Sequence, residues 1–446
     1  MQKILQAEPR AKVPVTNQET PDQGFPGLFG HGETLLVKSI HGQPCHLQRR
    51  CWNRQRQKSQ RDLMTQIRLT DLNLFSGQRQ YENFARFVDM LPTVKMGASQ
   101  SPSPFNEGTA ASLPKAYSFD GNSKVTEDFL ARTDTAAMLV LKDGKIRHES
   151  YRLSGGREVQ WISWSVAKSF VSALVGIAIS EGAIGSLDQP ISDYVGVEPG
   201  SAYDGVSIRN VLQMSSGARW NENYNDPTSD VHRLGAAMAG VMTLDDFVAT
   251  MVPETKPGTV CRYNSGDTQA LGALLVRATG RPLAAYMREK LVEPLGFESD
   301  SYWLVDSSGM EMAFAGLLST ARDFAKLGEL YRNMGRFGNA QIVPETWVRD
   351  STRTTIEHLQ PGRPILADHA LDLGYGYQWW LLDGARGEYT AIGIYNQLVY
   401  VDPSRGISIV KLSANPEYGT SMAESTNREM ENLAFLRSIS AEFELA

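Results

Sequence analysis

Apolar residues form two pairs of short runs at opposite ends of the region 116–446. Residues 136–141 and 146–151 flank an Asp-Gly turn, and residues 397–401 and 407–412 flank an Asp-Pro-Ser-Arg-Gly turn. Such pairs are typical of β-hairpins. Because mostly helical and loop patterns fill the interval, we predict an α+β fold. Strands from both ends would share one antiparallel sheet flanked by helices, with a mostly helical second lobe.

Two further segments show helical periodicity. Aromatic and aliphatic residues recur at helix-like intervals over residues 74–91, and a Ser/Pro/Gly-rich linker, residues 97–108, follows them. Near the C-terminus, apolar residues recur every three residues over 422–443. We therefore predict a helix and linker at 76–115 that pack on a domain of residues 116–446, and a C-terminal helix.

Residues 1–75 differ from the rest because they show little apolar periodicity and contain a basic run. We interpret them as a poorly ordered N-terminal extension. The alternative is a metal site formed by His41, Cys45, His46 and Cys51. Since Cys-x5-Cys is not a usual structural zinc spacing, we predict no metal.

Composition and charge exclude several classes of function. The 446 residues are 41% apolar and 21% charged, as in ordinary globular proteins, and the net charge is −6. No global positive field would hold nucleic acid. The longest dense apolar stretch, residues 170–179, is shorter than the ~20 residues of a membrane span. With three cysteines and no apolar leader at the N-terminus, we expect a cytoplasmic protein. The oligomeric state stays open, a homodimer included.

The pattern Ser-x-x-Lys occurs at residues 112–115, 165–168 and 408–411. A proline interrupts the first copy, and the third alternates as a strand does, which puts its Ser and Lys on opposite faces. Only Ser165 and Lys168 fit a helix, because they open the apolar segment 170–179. A lysine with a depressed pKa can take the proton of such a serine. From this motif alone, an N-capping serine with a surface lysine fits equally well.

The motifs that follow Ser165 occur in an order that resembles the serine β-lactamase and penicillin-binding-protein superfamily. These motifs are Glu181-Gly182, Leu187-Asp188-Gln189-Pro190, the segment 208–217 ending in Met-Ser-Ser-Gly, Lys256-Pro257-Gly258, the segment 263–272 beginning Tyr-Asn-Ser-Gly, and the segment 316–323. The likeness as a whole runs from about residue 116 to residue 412. Within the superfamily, the sequence resembles the group of 6-aminohexanoate-dimer hydrolases and related carboxylesterases. This resemblance implies a catalytic Ser165.

The resemblance implies roles for further residues. Tyr263 matches the tyrosine of the second motif, and its phenol would shuttle a proton between Ser165 and the leaving group. Ser265 stands in the third place of that motif and would bind substrate. The alternative for Tyr263 is a tyrosine that only packs in the core. Tyr224 matches a tyrosine that binds the scissile amide in that group, with a plain loop aromatic as the alternative.

The third motif, usually Lys-Thr-Gly or His-x-Gly, is matched by Ala391-Ile392-Gly393. The match implies that Ile392 and Gly393 contact substrate, and that the backbone NH groups of Ser165 and Ile394 form the oxyanion hole. Because Ala391 replaces the usual cation, the turnover of β-lactams is not expected.

Together these residues predict a hydrolase that cleaves amide or ester bonds of small linear substrates. Ser165 would form an acyl-enzyme, Lys168 and Tyr263 would transfer protons, and no cofactor is required. Two alternatives remain. One is a β-lactamase or DD-peptidase, and the other is a non-hydrolytic module that binds acyl groups or peptides.

Overall fold

The strands predicted at the two ends of the domain lie side by side in one sheet. The computed structural model describes residues 67–363 and 371–445. In it, the strand Ile407–Ser413 pairs antiparallel with Thr135–Lys142, with Val410 opposite Leu139. This shared sheet confirms the predicted α+β arrangement.

The strands of the described residues are β1 (Thr93–Met96), β2 (Asn106–Glu107), β3 (Ala116–Phe119), β4 (Asn122–Val125), β5 (Thr135–Lys142), β6 (Lys145–Tyr151), β7 (Trp161–Ile162), β8 (Ser301–Leu304), β9 (Leu317–Ser319), β10 (Arg336–Phe337), β11 (Ala340–Gln341), β12 (Leu373–Tyr375), β13 (Trp380–Leu382), β14 (Tyr389–Gly393), β15 (Gln397–Asp402) and β16 (Ile407–Ser413). The central sheet has the order β12-β13-β14-β15-β16-β5-β6-β2. Its neighbours are antiparallel, except that β2 runs parallel to β6.

The α-helices of the same residues are α1 (Tyr81–Phe84), α2 (Phe87–Met90), α3 (Thr126–Arg132), α4 (Ala167–Ser180), α5 (Ile208–Leu212), α6 (Asp230–Met238), α7 (Leu244–Ala249), α8 (Ser265–Thr279), α9 (Leu283–Met287), α10 (Ala321–Arg332), α11 (Glu345–Thr352), α12 (Glu424–Asn427) and α13 (Glu429–Leu445). Short 3-10 turns lie at Leu69–Leu72, Trp164–Val166, Ile191–Asp193, Glu357–Leu359 and Pro403–Arg405, and a π-helical turn at Arg288–Val292. Helices α5–α9 make up most of the predicted helical lobe.

Both faces of the central sheet are buried. On β5, Leu139 and Leu141 pack with Phe324 of α10 in one apolar cluster. Met138 and Val140, which alternate with them, pack with residues of α13 in a second cluster. This two-residue alternation is what a strand covered on both faces requires. It accounts for the continuous apolar run that predicted β5.

The β5–β6 hairpin turns at Asp143 and Gly144, where φ is 50° and 74°. Positive φ at both turn positions gives the strands the twist they need, and Asp-Gly tolerates it. The hairpin is therefore confirmed at the predicted residues.

A second, smaller sheet was not predicted. Its order is β1-β8-β9-β7, and β7 pairs with β9 through Ile162 and Leu318. The strands of this sheet have two to four residues, which is too short for an alternating pattern to be recognised. β7 leads the chain directly into the residues before Ser165.

Two predicted helices are interrupted. The segment 74–91 contains only the one-turn helices α1 and α2. Phe75 and Gly77 have φ of 63° and 83°, which keeps the residues before α1 out of a right-handed helix, and Arg86, with φ of −128°, separates α1 from α2. The C-terminal helix is divided at Arg428, whose φ is 56°, into α12 and α13. The apolar positions were placed correctly, since Phe84, Phe87 and Leu436 are fully buried.

The N-terminal boundary also differs from the sequence interpretation. The predictions for residues 1–66, including the metal alternative, lie outside the described residues. Of the proposed extension, residues 67–75 are folded: Leu69–Leu72 forms a 3-10 turn, Leu72 is buried, and Phe75 packs against Tyr224. In the described part of the chain, no helix combines the length and apolar character needed to cross a membrane.

Candidate active site

Ser165 lies at a tight junction between β7 and α4. It follows Trp164, whose φ of 45° is strained for a residue with a side chain. The Trp164 indole packs edge-on against the rings of Phe84 and Phe87, and it lies parallel to the ring of Tyr395. This aromatic packing holds the strained turn, and the turn presents Ser165, half-buried, at the start of the helix.

Lys168 is buried beneath Ser165. Its Nζ lies 2.9 Å from Ser165 Oγ, 3.1 Å from Ser265 Oγ and 2.9 Å from the carbonyl oxygen of Phe314. Burial lowers the pKa of Lys168 to about 7, and the negative charge of Glu222 acts in the opposite direction. Near neutral pH a large share of this side chain is therefore the free amine, which can accept the proton of Ser165.

The other two Ser-x-x-Lys copies have the geometry expected from their sequences. Residues 112–115 lie in a non-helical segment before β3, and residues 408–411 lie within β16. Lys411 Nζ donates to Ser413 Oγ at 2.6 Å rather than to Ser408. Of the three copies, only Ser165 and Lys168 lie on consecutive helical turns, which brings their side chains together.

Tyr263 stands on the other side of Ser165. Its phenol interacts with the Ser165 side chain, and burial together with the charge of Glu222 holds the pKa of Tyr263 well above the usual range. The ring lies parallel to Trp380 with centroids 5.1 Å apart, and Lys168 Nζ lies 5.0 Å from the ring centroid. The structure thus brings Ser165, Lys168 and Tyr263 together, with a phenol that remains protonated.

Ser265 begins α8 and joins Lys168 to a residue that the sequence analysis missed. Ser265 Oγ accepts from Lys168 and lies 3.4 Å from Glu222 Oε1, to which it donates. The Glu222 carboxylate also accepts from Tyr224 Oη at 2.8 Å and from the Trp220 indole. Burial raises the pKa of Glu222 and the nearby Lys168 charge lowers it. Glu222 stood in the segment that supplied Tyr224, but nothing in a lone loop carboxylate signals its contact with Ser265.

Tyr224 lies at the site, but its hydroxyl is already engaged by Glu222. Its ring stacks on Phe75 with centroids 4.3 Å apart. Phe75 comes from the segment that we interpreted as a poorly ordered extension, and its contact with Tyr224 could not be predicted from its sequence. Tyr224 therefore forms part of the wall around Ser165.

The end of β14 lies against the backbone of the nucleophile. A Cβ on Gly393 would come within 2.5 Å of the Ser163 carbonyl oxygen and 3.1 Å of the Ser165 nitrogen. Only glycine allows this approach. Ile392 and Ile394 both line the space in front of Ser165. The third-motif residues thus border Ser165, and Ala391 is buried within the strand.

Two cavities meet at Ser165, and Glu222, Tyr224 and Ile394 line both. The first cavity is narrow, with about 60 Å³ of free space, and Tyr263 forms part of its wall. The second has about 410 Å³, and residues 69–75 contribute to its wall. A substrate carbonyl at the junction would leave one group of the substrate on each side.

Metal ligands do not cluster in the part of the chain that the structure describes, where no group of three or more His, Cys, Asp or Glu side chains could hold an ion. His369 lies in the segment 364–370, outside the described residues. The site chemistry described above uses only a serine, an amine, a phenol and a carboxylate.

The chain is similar in sequence to a known family and to a characterised hydrolase. A family described as Beta-lactamase matches residues 123–433. The 6-aminohexanoate-dimer hydrolase of Paenarthrobacter ureafaciens is 30% identical over 357 residues, which are 76% of this chain and 86% of that protein.

Two solved structures show the same fold. A Bacillus anthracis protein provisionally described as a 6-aminohexanoate-dimer hydrolase has a TM-score of 0.72 at 21% identity, covering 82% of this chain and 94% of that one. EstCE1, a hydrolase with promiscuous acyltransferase activity, has a TM-score of 0.55 at 17% identity, covering 71% and 96%.

Proposed function

The chain belongs to the beta-lactamase family, as its motifs predicted, and on that premise we propose that this serine hydrolase cleaves amide or ester bonds of small linear substrates through an acyl-enzyme on Ser165. The observation that carries the proposal is the buried Lys168 amine, 2.9 Å from Ser165 Oγ, with its pKa lowered to about 7. A surface lysine beside an N-capping serine would have neither property.

The first half of the reaction forms the acyl-enzyme. The Lys168 amine takes the proton of Ser165 as Oγ attacks the substrate carbonyl carbon. The backbone NH groups of Ser165 and Ile394 stabilise the oxyanion, which is supported by the close approach of Gly393 to Ser165. The intermediate then collapses, and Tyr263 passes the proton held by Lys168 to the leaving nitrogen or oxygen as its bond to carbon breaks.

The second half reverses these proton transfers with water as the nucleophile. Water gives a proton to the Lys168 and Tyr263 pair as it attacks the acyl carbon, and Ser165 Oγ leaves and recovers its proton. The carboxylic acid product and free enzyme result. Every transfer uses groups present in the chain, so the mechanism needs no cofactor.

A linear amide or ester is the substrate class that fits best. The relative 30% identical to this chain is named for the hydrolysis of the 6-aminohexanoate dimer. The strand position at which a β-lactamase carries a cation is the buried Ala391. Arg262 lines the first cavity but is paired with Glu254 at 2.5 Å. Neither position therefore offers an unpaired positive charge that could bind the carboxylate of a β-lactam.

The proposal is tested by covalent labelling together with turnover. We expect a fluorophosphonate to add once, at the peptide containing Ser165, with no adduct on Ser112 of the exposed Ser-x-x-Lys copy. We also expect hydrolysis of p-nitrophenyl esters and the linear 6-aminohexanoate dimer, and slow or no turnover of nitrocefin. Rapid nitrocefin turnover would favour the β-lactamase alternative. Labelling without turnover of any substrate would favour an acyl-binding module.

The pH dependence of kcat/KM gives a further prediction. The free amine of Lys168 is the base, so activity should fall about tenfold per pH unit below an apparent pKa near 7. This apparent value belongs to the coupled Lys168 and Glu222 pair. Because the negative charge of Glu222 raises the pKa of Lys168, Glu222→Gln should move the acid limb to lower pH.

A matched control is Glu429→Gln, which removes a carboxylate from the wall of the first cavity but leaves the hydrogen bond between Ser265 and Glu222 in place. This variant should keep the acid limb of wild type. A Glu222→Gln limb that stays in place or moves to higher pH would contradict the assignment of Lys168 as the base.

A further inference from the structure

The leaving group and the acyl group occupy different cavities if Tyr263 performs its proposed step. Tyr263 must reach the leaving nitrogen or oxygen to protonate it, and among the two cavities it lines only the first. The leaving group therefore belongs in the first cavity. The acyl group then extends from Ser165 into the second.

The second cavity has mainly apolar walls. Leu69, Leu74, Phe75, Val231, Met312 and Phe314 supply most of its apolar wall. Of its described lining residues, none is Lys, Arg or Asp, the Glu222 carboxylate is occupied by its own donors, and His232 Nε2 donates to the Tyr224 carbonyl oxygen at 2.9 Å. The free volume of about 410 Å³ is within the range of pockets that hold small organic ligands.

The segment 69–75 is fixed onto the site by specific contacts. The Phe75 NH donates to Tyr395 Oη at 2.7 Å, and the Phe75 ring stacks on Tyr395 as well as on Tyr224. Tyr395 directly follows Ile394, which lines both cavities. The segment is therefore tied to the same backbone that borders Ser165.

We propose that residues 69–75 form one wall of an acyl-chain pocket, and that this enzyme prefers linear esters and amides with longer aliphatic acyl groups over acetyl substrates. The inference rests on the proposed function and deepens it. Each methylene that enters the pocket should raise kcat/KM about fourfold until the pocket is full.

The structure offers a variant that fills the pocket without disturbing its walls. Gly235 of α6 lines the second cavity, and a Cβ built on it meets no atom within 4 Å. Gly235→Leu would place a branched side chain in the open space, whereas Gly235→Ala adds one carbon and serves as the matched control. Position 235 has no role in the proposed proton transfers among Ser165, Lys168 and Tyr263.

The experiment measures kcat/KM for p-nitrophenyl acetate, butyrate, hexanoate and octanoate. Wild type and Gly235→Ala should rise with chain length, and Gly235→Leu should lose at least about tenfold on octanoate with little change on acetate. Phe75→Ala, which removes part of the wall, should flatten the rise. Met422→Trp narrows the first cavity and should leave the chain-length profile unchanged.

Two results would overturn the inference. One is a flat profile in wild type, and the other is a profile altered by Met422→Trp but not by Gly235→Leu. In either case ester turnover would still support the proposed function. Absence of all ester and linear-amide turnover in wild type would instead overturn the proposed function and the pocket with it.

Discussion

Replacing Ser165 by alanine should lower kcat/KM for every ester and amide substrate by at least about 10⁴-fold, because no acyl-enzyme can form without Oγ. The fold should be retained. Ser165 is half-buried, and within the described part of the chain its side chain interacts with Lys168 and Tyr263. Initial rates and a thermal unfolding curve of the same preparation measure both quantities.

Ser112→Ala is the matched control for that variant. Ser112 is the exposed first residue of another Ser-x-x-Lys copy and lies outside both cavities. It should keep wild-type rates and wild-type fluorophosphonate labelling. If Ser165→Ala kept more than about one hundredth of wild-type turnover, the nucleophile would have to be sought elsewhere.

Lys168→Met should lower kcat/KM by about 10³-fold or more, since the base that activates Ser165 is lost while the packing volume is kept. The same substitution should raise the melting temperature below about pH 7. In the unfolded chain the pKa of a lysine is about 10.4, and in the folded protein burial lowers the pKa of Lys168 to about 7. The folded state therefore holds fewer protons between these values.

The sign of the stability change follows from that difference. The contribution of Lys168 to stability falls as the pH decreases from about 10 to about 7 and stays low below it. Lys168→Met removes this cost, which is partly offset by the loss of hydrogen bonds to Ser265 and Phe314. The gain in melting temperature should therefore be largest near pH 6 and disappear toward pH 10.

Lys411→Met separates burial from catalysis. Lys411 is fully buried on β16, its Nζ donates to Thr133 and Ser413, and burial holds its pKa well below the usual range. It lines neither cavity. This control should show the same pH-dependent gain in stability with full activity. A comparable loss of activity in both variants would mean that Lys168 acts through the fold.

The parts of the fold that the sequence predicted are those specified by neighbouring residues. The Asp-Gly turn determines its own hairpin, and the alternation in β5 and β16 requires burial on both faces. The failures have a different origin. The helical interval over 74–91 correctly identified buried positions, but the positive φ of Phe75 depends on its contacts with Tyr224 and Tyr395, which are far away in sequence.

The residues of the candidate site also include some that the sequence predicted and one that it did not. Ser165 and Lys168 are one helical turn apart, so their meeting could be predicted from spacing, and the resemblance supplied Tyr263, Ser265 and the end of β14. Glu222 was missed because its role depends on the fold bringing its loop to Ser265. A carboxylate that acts through a hydroxyl from another element leaves no local pattern.

The wall formed by residues 69–75 lies upstream of residues 123–433, the part of the chain by which the family is recognised. One wall of the proposed acyl pocket is therefore encoded outside the stretch that holds the nucleophile and its base, whereas Val231, Met312 and Phe314 of the same pocket lie within it. Substitutions in this upstream wall would change the proposed pocket while the nucleophile and its base are preserved. Relatives that align well across residues 123–433 can therefore differ in the substrates that they hydrolyse. An ancestral sequence reconstructed from those residues alone would lack one wall of the proposed pocket.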